Sequence, residues 1–546
     1  MKRNENTIAG NGIPFWLCAG LLVLLLVSTL SRDITRPFYG IHSWAEAHSP
    51  WLARVQIRNG FSYTKGFMTW SVGNPPTVNP RRYLDHPQIT NLINSAFAAV
   101  LGLNEWALRV ENIIASVITL LLFLKILKNL MDEKTALLSG LLFCLFPVIG
   151  YFGVNMWLYP FTLWGIWNYL VIMKGLKENI QPTKQHRIFL AICLFMMLQI
   201  SWEGFFFALG IGVHYIFRCI RRKQFPDKTI LGILSISPLG SLALDFGIMA
   251  IGYGGFSKII ELFKWRAGSG EMAEHIWSDW FAKCWEFAET NFTLPILLAA
   301  IMYLTLGQLL ILASQESKDN GEFARRRFPQ FWLFFMPPVF QLLILKGCIW
   351  KHQTWERPFC FPIAIAGAMA IMLLGDILGK INKRIANAGM ILLGVVFFTA
   401  SVIGTNYYYN IRWQQPAKIE MIKLLNQKIP SDKALLSFED FIIRQHPAKG
   451  DFYRPEIAWY LDREIVQATS FAKVQEYART GRYPYYLVPA VDELSPLIAE
   501  LQKHYKMFKY FPGDPGEQKY GRFYKAGMPP YMVFDLNAKA TASQAG

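Results

Sequence analysis

The chain has 546 residues, of which 53% are hydrophobic, and a formal net charge of +17. Its mean hydropathy of +0.24 excludes an ordinary soluble protein and indicates a chain that packs many apolar side chains against lipid. The basic residues lie mostly between the apolar segments. This position argues for a membrane, and not for nucleic acid, as the partner.

Apolar segments long enough to cross about 30 Å of hydrocarbon recur through the first three quarters of the chain. The first follows Lys2 and Arg3 and has no small-x-small cleavage site after Leu30, so we expect a signal anchor and not a cleaved signal peptide. Ten further spans are expected at about 106–124, 135–153, 157–175, 188–202, 204–220, 229–252, 292–314, 330–347, 359–379 and 386–404.

The segment at 88–103 is shorter and more polar than these spans, and we expect it to lie at the exterior interface of the membrane. Loops rich in Lys and Arg alternate with poorer ones, which assigns the basic loops to the cytoplasm under the positive-inside rule. The N-terminus is then cytoplasmic, and the segment after the last span lies outside.

These observations predict a polytopic α-helical membrane protein of about 11–13 transmembrane helices with a C-terminal extracytoplasmic α/β domain. The membrane domain covers 1–404 and includes the first exterior loop at 31–105, and the soluble domain covers 405–546. Within the soluble domain, periodicity predicts a helix at 418–428 and strands at 434–438, 485–488 and 532–536.

The segment HSWAEAHSPWLARVQIRNG, at 42–60, has the features of a short helix. Ser49 is a suitable N-cap, Pro50 fits the first helical position and Gly60 can end the helix. Glu46 and His48 are then expected in the approach to its N-terminus. Exposed amides and the helix dipole favour anions at such a point.

Two polar clusters of the first exterior loop carry groups suited to one reaction. Arg54 and Arg58 lie four apart on one face of the predicted helix, and Arg82, Asp85 and His86 follow. Carboxylates can take a proton from an acceptor, and guanidinium groups can hold a departing phosphate. The clusters therefore indicate group transfer from a phosphate-linked donor. Contacts to lipid headgroups and simple solvation are the alternative interpretation.

The order of features resembles the GT-C glycosyltransferases: one span, a long exterior loop with HSWAEAHSPWLARVQIRNG, then YLDHPQ, then GLNEWALR opening the next span. More narrowly, it is similar to the bacterial branch related to protein O-mannosyltransferases and to the aminoarabinose transferase of lipid A. The resemblance implies that a sugar is taken from a polyprenyl phosphate and transferred outside the cytoplasm. An acidic residue of the first exterior loop is the base in that family.

Carried onto this sequence, the resemblance makes Glu46 the expected base. The family's usual Asp-containing motif is not present, and His48 stands where many relatives have an acid. His48 and Asp85 are therefore kept as further catalytic candidates, and Asp33 is kept as a rival base.

The same resemblance indicates residues that bind the donor. Residues 85–87 match the family's proline motif, and Arg109 matches an arginine at the exterior start of the following span. The segment KHQTWERPF at 351–359 resembles the family's His-rich loop, although a basic and aromatic belt beside any membrane helix is the alternative. The expected ligands of donor phosphate or sugar are Arg54, Arg58, Arg82, His86, Arg109, Lys351 and His352.

We therefore expect a GT-C-type glycosyltransferase in the plasma (bacterial inner) membrane. Its expected partners are a polyprenyl-phosphate-linked sugar, the membrane, and a lipid, glycan or protein acceptor, with no nucleic acid. The alternatives are a transporter or flippase of lipid-linked glycans, which would need polar residues through its spans, and a polymerase or ligase of such glycans. The segment RPEIAWYLDR, at 454–463, resembles a tyrosine-rich segment of the family and is expected to help hold the acceptor.

No defined cofactor follows from the sequence. A divalent metal is conceivable from ligand type alone, because carboxylates and imidazoles bind such ions. The residues concerned are His42, Glu46, His48, Asp85 and His86, and no spacing among them is diagnostic of a metal site.

Overall fold

The computed structural model describes residues 14–40, 43–84, 86–151, 156–178, 183–253, 255–264, 277–309, 318–347, 352–410, 416–446, 450–514 and 527–540. The α-helices in this part of the chain are α1 (Phe15–Leu30), α2 (Ser43–Thr64), α3 (Ile89–Leu101), α4 (Glu105–Leu130), α5 (Glu133–Leu145), α6 (Pro147–Tyr151), α7 (Leu158–Lys177), α8 (Lys184–Ile200), α9 (Glu203–Arg222), α10 (Lys228–Tyr253), α11 (Ser257–Lys264), α12 (Trp277–Phe292), α13 (Leu294–Met302), α14 (Lys318–Ile344), α15 (Cys360–Ile381), α16 (Lys383–Asn410), α17 (Pro416–Lys428), α18 (Pro455–Leu461), α19 (Phe471–Arg479) and α20 (Ser495–His504). The strands are β1 (Thr69–Trp70), β2 (Arg81–Arg82), β3 (Leu435–Ser437), β4 (Ile442–His446), β5 (Gly450–Tyr453), β6 (Ile465–Gln467), β7 (Tyr485–Pro489), β8 (Tyr505–Phe511) and β9 (Tyr531–Lys539).

Several helices have the length and apolar character of membrane spans. Over the described residues there are five, and a sixth results if α12 and the helix from Leu294 to Gly307, bent by 108°, count as one. Three apolar helices are shorter: Phe15–Leu30, Ile89–Leu101 and Gln330–Ile344. The chain is a polytopic helical membrane protein, and the larger number of spans expected from the sequence stays a prediction. The interfacial helix predicted at 88–103 is present as α3, and its place at the interface stays a prediction.

The chain divides into two compact units. The first consists of Met1–Arg32, Asn112–Gly247 and Phe263–Asn406, and the second of Asp33–Glu111, Ile248–Leu262 and Tyr407–Gly546. The first exterior loop and the C-terminal segment thus belong to the same unit. The division of the chain into domains at 1–404 and 405–546 itself stays a prediction.

The first unit packs around aromatic side chains of its helices. The ring of Phe361 on α15 lies 5.2 Å from that of Phe123, 5.8 Å from that of Phe143 and 5.4 Å from that of Tyr159. Aromatic pairs at this spacing add to the stabilisation from burial. Gly140 on α5 permits a close helix approach, because a Cβ there would lie 2.6 Å from a methyl carbon of Leu124.

The C-terminal part of the second unit contains a five-stranded sheet of order β6-β3-β7-β9-β8. β3 pairs in parallel with β6 and β7, and β9 pairs antiparallel with β7 and β8. The predicted helix at 418–428 is confirmed as α17, and the three predicted strands are confirmed as β3, β7 and β9. Strands β6 and β8 were not predicted. β6 has only three residues, and the residues of β8 at the sheet edge are half-buried or exposed, without a period of two.

Apolar side chains of the first exterior loop and of the C-terminal segment share one core. Each buried aliphatic or aromatic side chain there contributes roughly 1.5–3 kcal/mol. The core includes Trp51, Leu52 and Val55 of α2, Ile419 and Ile422 of α17, and Ile457 and Leu461 of α18. This packing holds α2 in place and determines where its polar side chains point.

Candidate functional site

The helix that carries Glu46 begins earlier than its capping residues suggested. α2 starts at Ser43, contains Pro50 in its interior and has one non-helical residue, Gly60, with a φ of 71°. The predicted N-cap at Ser49 is therefore wrong, and so is the predicted anion site in front of it, whereas the break at Gly60 is confirmed. Burial of α2 against the shared core outweighs the preference of proline for a first turn.

The earlier start also changes which residues share a face of α2. A helix turns about 100° per residue, so side chains two positions apart point about 200° away from each other. Glu46 is directed toward the turn at 33–40 and the start of α4, and His48 is directed toward β1. The expected single cluster is therefore divided between two sides of the helix.

Glu46 lies between two guanidinium groups. Arg36 Nη2 is 3.6 Å from Glu46 Oε1, and Arg109 Nη2 is 3.6 Å from Glu46 Oε2. The three side chains are 9–18% exposed. Arg109 Nη1 donates to the carbonyl oxygens of Ile34 at 2.8 Å and Arg36 at 2.6 Å, and its guanidinium stands 5.0 Å from the ring centre of Phe38. These contacts fix Arg109 before any substrate binds.

Two atoms at the centre of this group keep hydrogen-bonding capacity. Glu46 Oε2 and Arg109 Nη2 are buried, and neither makes a hydrogen bond to a described residue. At 3.6 Å they attract each other as charges without sharing a proton. The arrangement can accept a proton on the carboxylate and offer a donor to an anion beside it. Arg36 was missed from the sequence, where its basic charge ten residues before Glu46 was the only signal.

His48 is enclosed by aromatic rings on the other side of α2. Its ring stacks on Trp44 at 4.8 Å and meets the edge of Tyr83 at 4.7 Å. Trp70 Nε1 donates to His48 Nε2 at 2.9 Å, so the neutral ring carries its proton on Nδ1. His86 stacks on Tyr83 at 5.5 Å and so belongs to the same group. Asp85 lies outside the described residues.

Replacing His48 separates a structural role from a catalytic one. We expect His48→Gln to keep transfer activity within about threefold, because the amide oxygen can still accept from Trp70 Nε1. His48→Leu removes that acceptor and is expected to destabilise the protein by about 1–3 kcal/mol. Thermal unfolding and activity of both variants check this. A loss of activity in folded His48→Gln as large as that in Glu46→Gln would make His48 catalytic.

Arg54 and Arg58 are engaged by the C-terminal part of their own unit. Arg54 is buried and donates to the carbonyl oxygens of Trp459 at 2.6 Å and Ala458 at 2.7 Å. Asp462 lies 3.2 Å from Arg54 Nη2 and 2.6 Å from Arg58 Nη1. Burial lowers the pKa of Arg54 to about 10, and the charge of Asp462 acts in the opposite direction. The two arginines do share one face, as predicted, and that face holds α18.

Of the remaining expected donor ligands, Arg82 and His352 lie in described parts of the chain. Arg82 on β2 is half-buried with its guanidinium 4.8 Å from the ring centre of Phe67. His352 belongs to the other unit, is exposed, and precedes a 3₁₀ helix at Gln353–Phe359. Lys351 lies outside the described residues. In the same segment, Arg357 is buried and donates to Met156 Sδ at 3.5 Å.

A metal site was considered from the types of side chain in the first exterior loop. Among the residues with described positions, no three His, Cys, Asp or Glu side chains are grouped to hold an ion. Glu46 faces two guanidinium groups, and His48 Nε2 accepts from Trp70, so these two are not arranged as ligands of one ion. His42 and Asp85 lie outside the described residues.

Comparison with known proteins gives one family match in sequence. Residues 85–227 match the family model described as dolichyl-phosphate-mannose-protein mannosyltransferase. The match begins at the proline motif of the first exterior loop and extends through α9. No curated protein matches the chain in sequence.

Solved structures resemble the chain over nearly its whole length. ArnT from Cupriavidus metallidurans bound to undecaprenyl phosphate is 11% identical, with a TM-score of 0.57 over 97% of this chain and 98% of that one. The apo oligosaccharyltransferase of Archaeoglobus fulgidus is also 11% identical, with a TM-score of 0.55 over 91% of this chain and 73% of that one. At this identity the likeness shows a common fold. The chain therefore shares the fold of these two structures and, over residues 85–227, is similar in sequence to the protein mannosyltransferase family.

Proposed function

We propose that this protein is a membrane glycosyltransferase that moves a sugar from a polyprenyl-phosphate-linked donor to an acceptor at the extracytoplasmic face, with Glu46 as general base. The observation that carries the proposal is the placement of Glu46 between Arg36 and Arg109. The donor class is chosen because the ArnT structure of the same fold contains undecaprenyl phosphate. The face follows from the alternation of basic loops along the sequence.

The proposed reaction needs one base and one site for a developing anion. An acceptor hydroxyl attacks the anomeric carbon of the sugar, and the bond from that carbon to the phosphate oxygen breaks. The hydroxyl proton passes to Glu46, and the sugar stays on the acceptor. The lipid phosphate leaves with one more negative charge than it had in the donor. Fixed guanidinium groups stabilise that charge where it develops.

Arg109 is the proposed phosphate ligand nearest to the base. Its Nη1 is used by two backbone carbonyls, and its Nη2 is free of hydrogen bonds to described residues. Arg82, His86, Lys351 and His352 are also proposed to contact donor phosphate or sugar.

Arg54 and Arg58 are assigned to holding α18, because their guanidinium groups are taken up by Asp462 and by backbone carbonyls. Of the other candidates for the base, His48 uses its Nε2 as an acceptor, and Asp33 is exposed. Asp85 is retained as the rival base.

The test follows the sugar and the lipid separately. Membranes with the overproduced protein are given undecaprenyl phosphate carrying radiolabelled mannose or aminoarabinose. We expect label to leave the lipid and appear on a membrane or protein acceptor, with undecaprenyl phosphate released in equal amount. Intact donor that moves to the other leaflet would instead show a flippase. Turnover restricted to pyrophosphate-linked glycans would show a polymerase or ligase.

A further inference from the structure

The segment RPEIAWYLDR, expected from the sequence to hold the acceptor, forms α18 and lies inside the protein. Every residue from Pro455 to Leu461 is buried, and Tyr460 is 5% exposed. Its polar groups face the first exterior loop, which belongs to the same unit. An acceptor would not reach these side chains in this arrangement. The segment therefore acts on other residues of the chain.

The hydroxyl of Tyr460 joins two segments of the first exterior loop. It accepts a hydrogen bond from the backbone N–H of Phe38 at 2.7 Å and donates to Glu105 Oε1 at 3.0 Å. Glu105 also lies 3.6 Å from Lys423 Nζ, and that ammonium stands 4.7 Å from the centre of the Tyr460 ring. The donor and acceptor capacities of the hydroxyl are both used.

Those two segments carry the cations that face the proposed base. Phe38 lies two residues after Arg36, and Glu105 lies four residues before Arg109 on the same face of α4. Arg109 in turn donates to the carbonyl of Arg36 at 2.6 Å and stands over the ring of Phe38. The contacts close a ring in which Tyr460 is the member from the C-terminal segment. Removing its hydroxyl breaks both of these hydrogen bonds and so disconnects Phe38 from Glu105.

We propose that Tyr460 is a positioning residue for the transfer reaction: its hydroxyl sets the spacing between the segment of Arg36 and the start of α4, and so holds both guanidinium groups beside Glu46. The inference rests on the proposed function and names the part of the C-terminal segment that serves it. Tyr460 itself contacts neither donor nor acceptor.

Two observations support a fixed arrangement of α18. Burial, and then the charge of Glu105, raise the pKa of Tyr460, so its hydroxyl keeps its proton at physiological pH and both hydrogen bonds persist. Ser43 Oγ at the start of α2 donates to Glu456 Oε1 at 2.7 Å, and Arg54 holds the carbonyls at the other end of α18. Tyr460 is therefore presented from a helix that is held at both ends.

The test compares Tyr460→Phe with Tyr486→Phe in the purified full-length protein. Tyr486 is a matched control, because it is also buried and its hydroxyl donates to the carbonyl of Ala468 at 2.8 Å, but within the C-terminal sheet. We expect kcat of Tyr460→Phe to fall about tenfold with the KM for lipid donor within twofold of wild type. Tyr486→Phe is expected to lose similar thermal stability and to keep its kcat.

A second readout asks whether Tyr460 acts through Arg36. Arg36→Lys keeps a cation but cannot reproduce the fork of the guanidinium, so a reduced and measurable rate is expected. The double variant should then have a kcat within twofold of that of Arg36→Lys alone, because both changes disturb the same contact between Arg36 and Glu46. Independent structural effects would multiply. If Tyr460→Phe does not fold, Glu105→Ala removes the acceptor of the same hydroxyl, and the same non-additivity with Arg36→Lys is expected.

The outcomes separate this inference from the proposed function. If the losses of kcat from Tyr460→Phe and Arg36→Lys multiply in the double variant, the positioning role alone is overturned. The same holds if Tyr460→Phe has a normal kcat while Glu46→Gln is inactive. A wild-type protein that transfers no sugar from any polyprenyl-phosphate donor would overturn both. If the losses of kcat do not multiply and the reaction depends on Glu46, both the positioning role and the proposed function are supported.

Discussion

Membranes that carry Glu46→Gln are expected to transfer sugar about 1,000-fold more slowly than wild-type membranes at saturating donor. Glutamine has the shape of glutamate, but its amide does not take the acceptor proton. The lipid donor should still bind, because its proposed ligands are unchanged. The measurement is the initial rate of label transfer at equal amounts of folded protein, with donor binding followed in parallel.

The same substitution leaves Arg36 and Arg109 without their shared anion, so part of any loss could come from instability. Thermal unfolding of the purified variant separates the two effects. Glu464→Gln is the control, because Glu464 is an ion-paired carboxylate on the surface of the C-terminal segment, bonded to Arg482. We expect it to transfer at the wild-type rate. Near-normal transfer by Glu46→Gln would remove Glu46 as base, and an inactive Asp85→Asn would then assign the role to Asp85.

Most of the secondary structure followed from periodicity in the sequence. Long apolar runs marked the helices of the first unit, and short apolar runs marked the three central strands of the C-terminal sheet, because these strands are buried at most of their positions. The residue at which α2 begins was not predicted from the sequence. Its local signals, Ser49 and Pro50, favoured a later start, and the contacts that extend the helix back to Ser43 come from a core completed some 400 residues later in the chain.

The sequence predicted which types of residue form the candidate site, but it did not predict which of them contact each other. The resemblance to the GT-C glycosyltransferases indicated Glu46 and Arg109, and the structure places Glu46 Oε2 3.6 Å from Arg109 Nη2. Arg36 and Asp462 were missed, because nothing local shows that a turn residue will face α2 or that a helix end will bind Arg54. The wrong start of α2 also grouped His48 with Glu46, although two positions on a continuous helix point in different directions.

Asp462→Ala is expected to destabilise the second unit by about 4 kcal/mol, because it leaves a buried guanidinium without its counter-ion. Arg54 is 8% exposed and would keep only its two backbone acceptors. Asp462 also has a left-handed backbone, with φ of 50° and ψ of 40°, which alanine adopts at a cost of roughly 1–2 kcal/mol. Loss of the Arg58 pair adds little, since Arg58 is 38% exposed on its side chain.

Asp462→Asn divides this effect into its parts. Asparagine accepts the left-handed conformation and keeps an oxygen toward Arg54, so only the charge is lost. We expect the unfolding temperatures to fall in the order wild type, Asn, Ala, with Asp432→Ala as an exposed acidic control near wild type. If Asp462→Ala has the same unfolding temperature as the wild type, the buried guanidinium of Arg54 needs no carboxylate partner.

The same pair of variants connects stability to transfer. Asp462 fixes the end of α18, and Tyr460 stands two residues before it, so a displaced helix end moves the hydroxyl that holds Phe38 and Glu105. Asp462→Asn should keep the helix end in place and transfer at nearly the wild-type rate. Asp462→Ala should transfer more slowly even at a temperature where it is fully folded. Equal rates in both folded variants would mean that Arg54 and Asp462 stabilise the second unit without setting the geometry around Glu46.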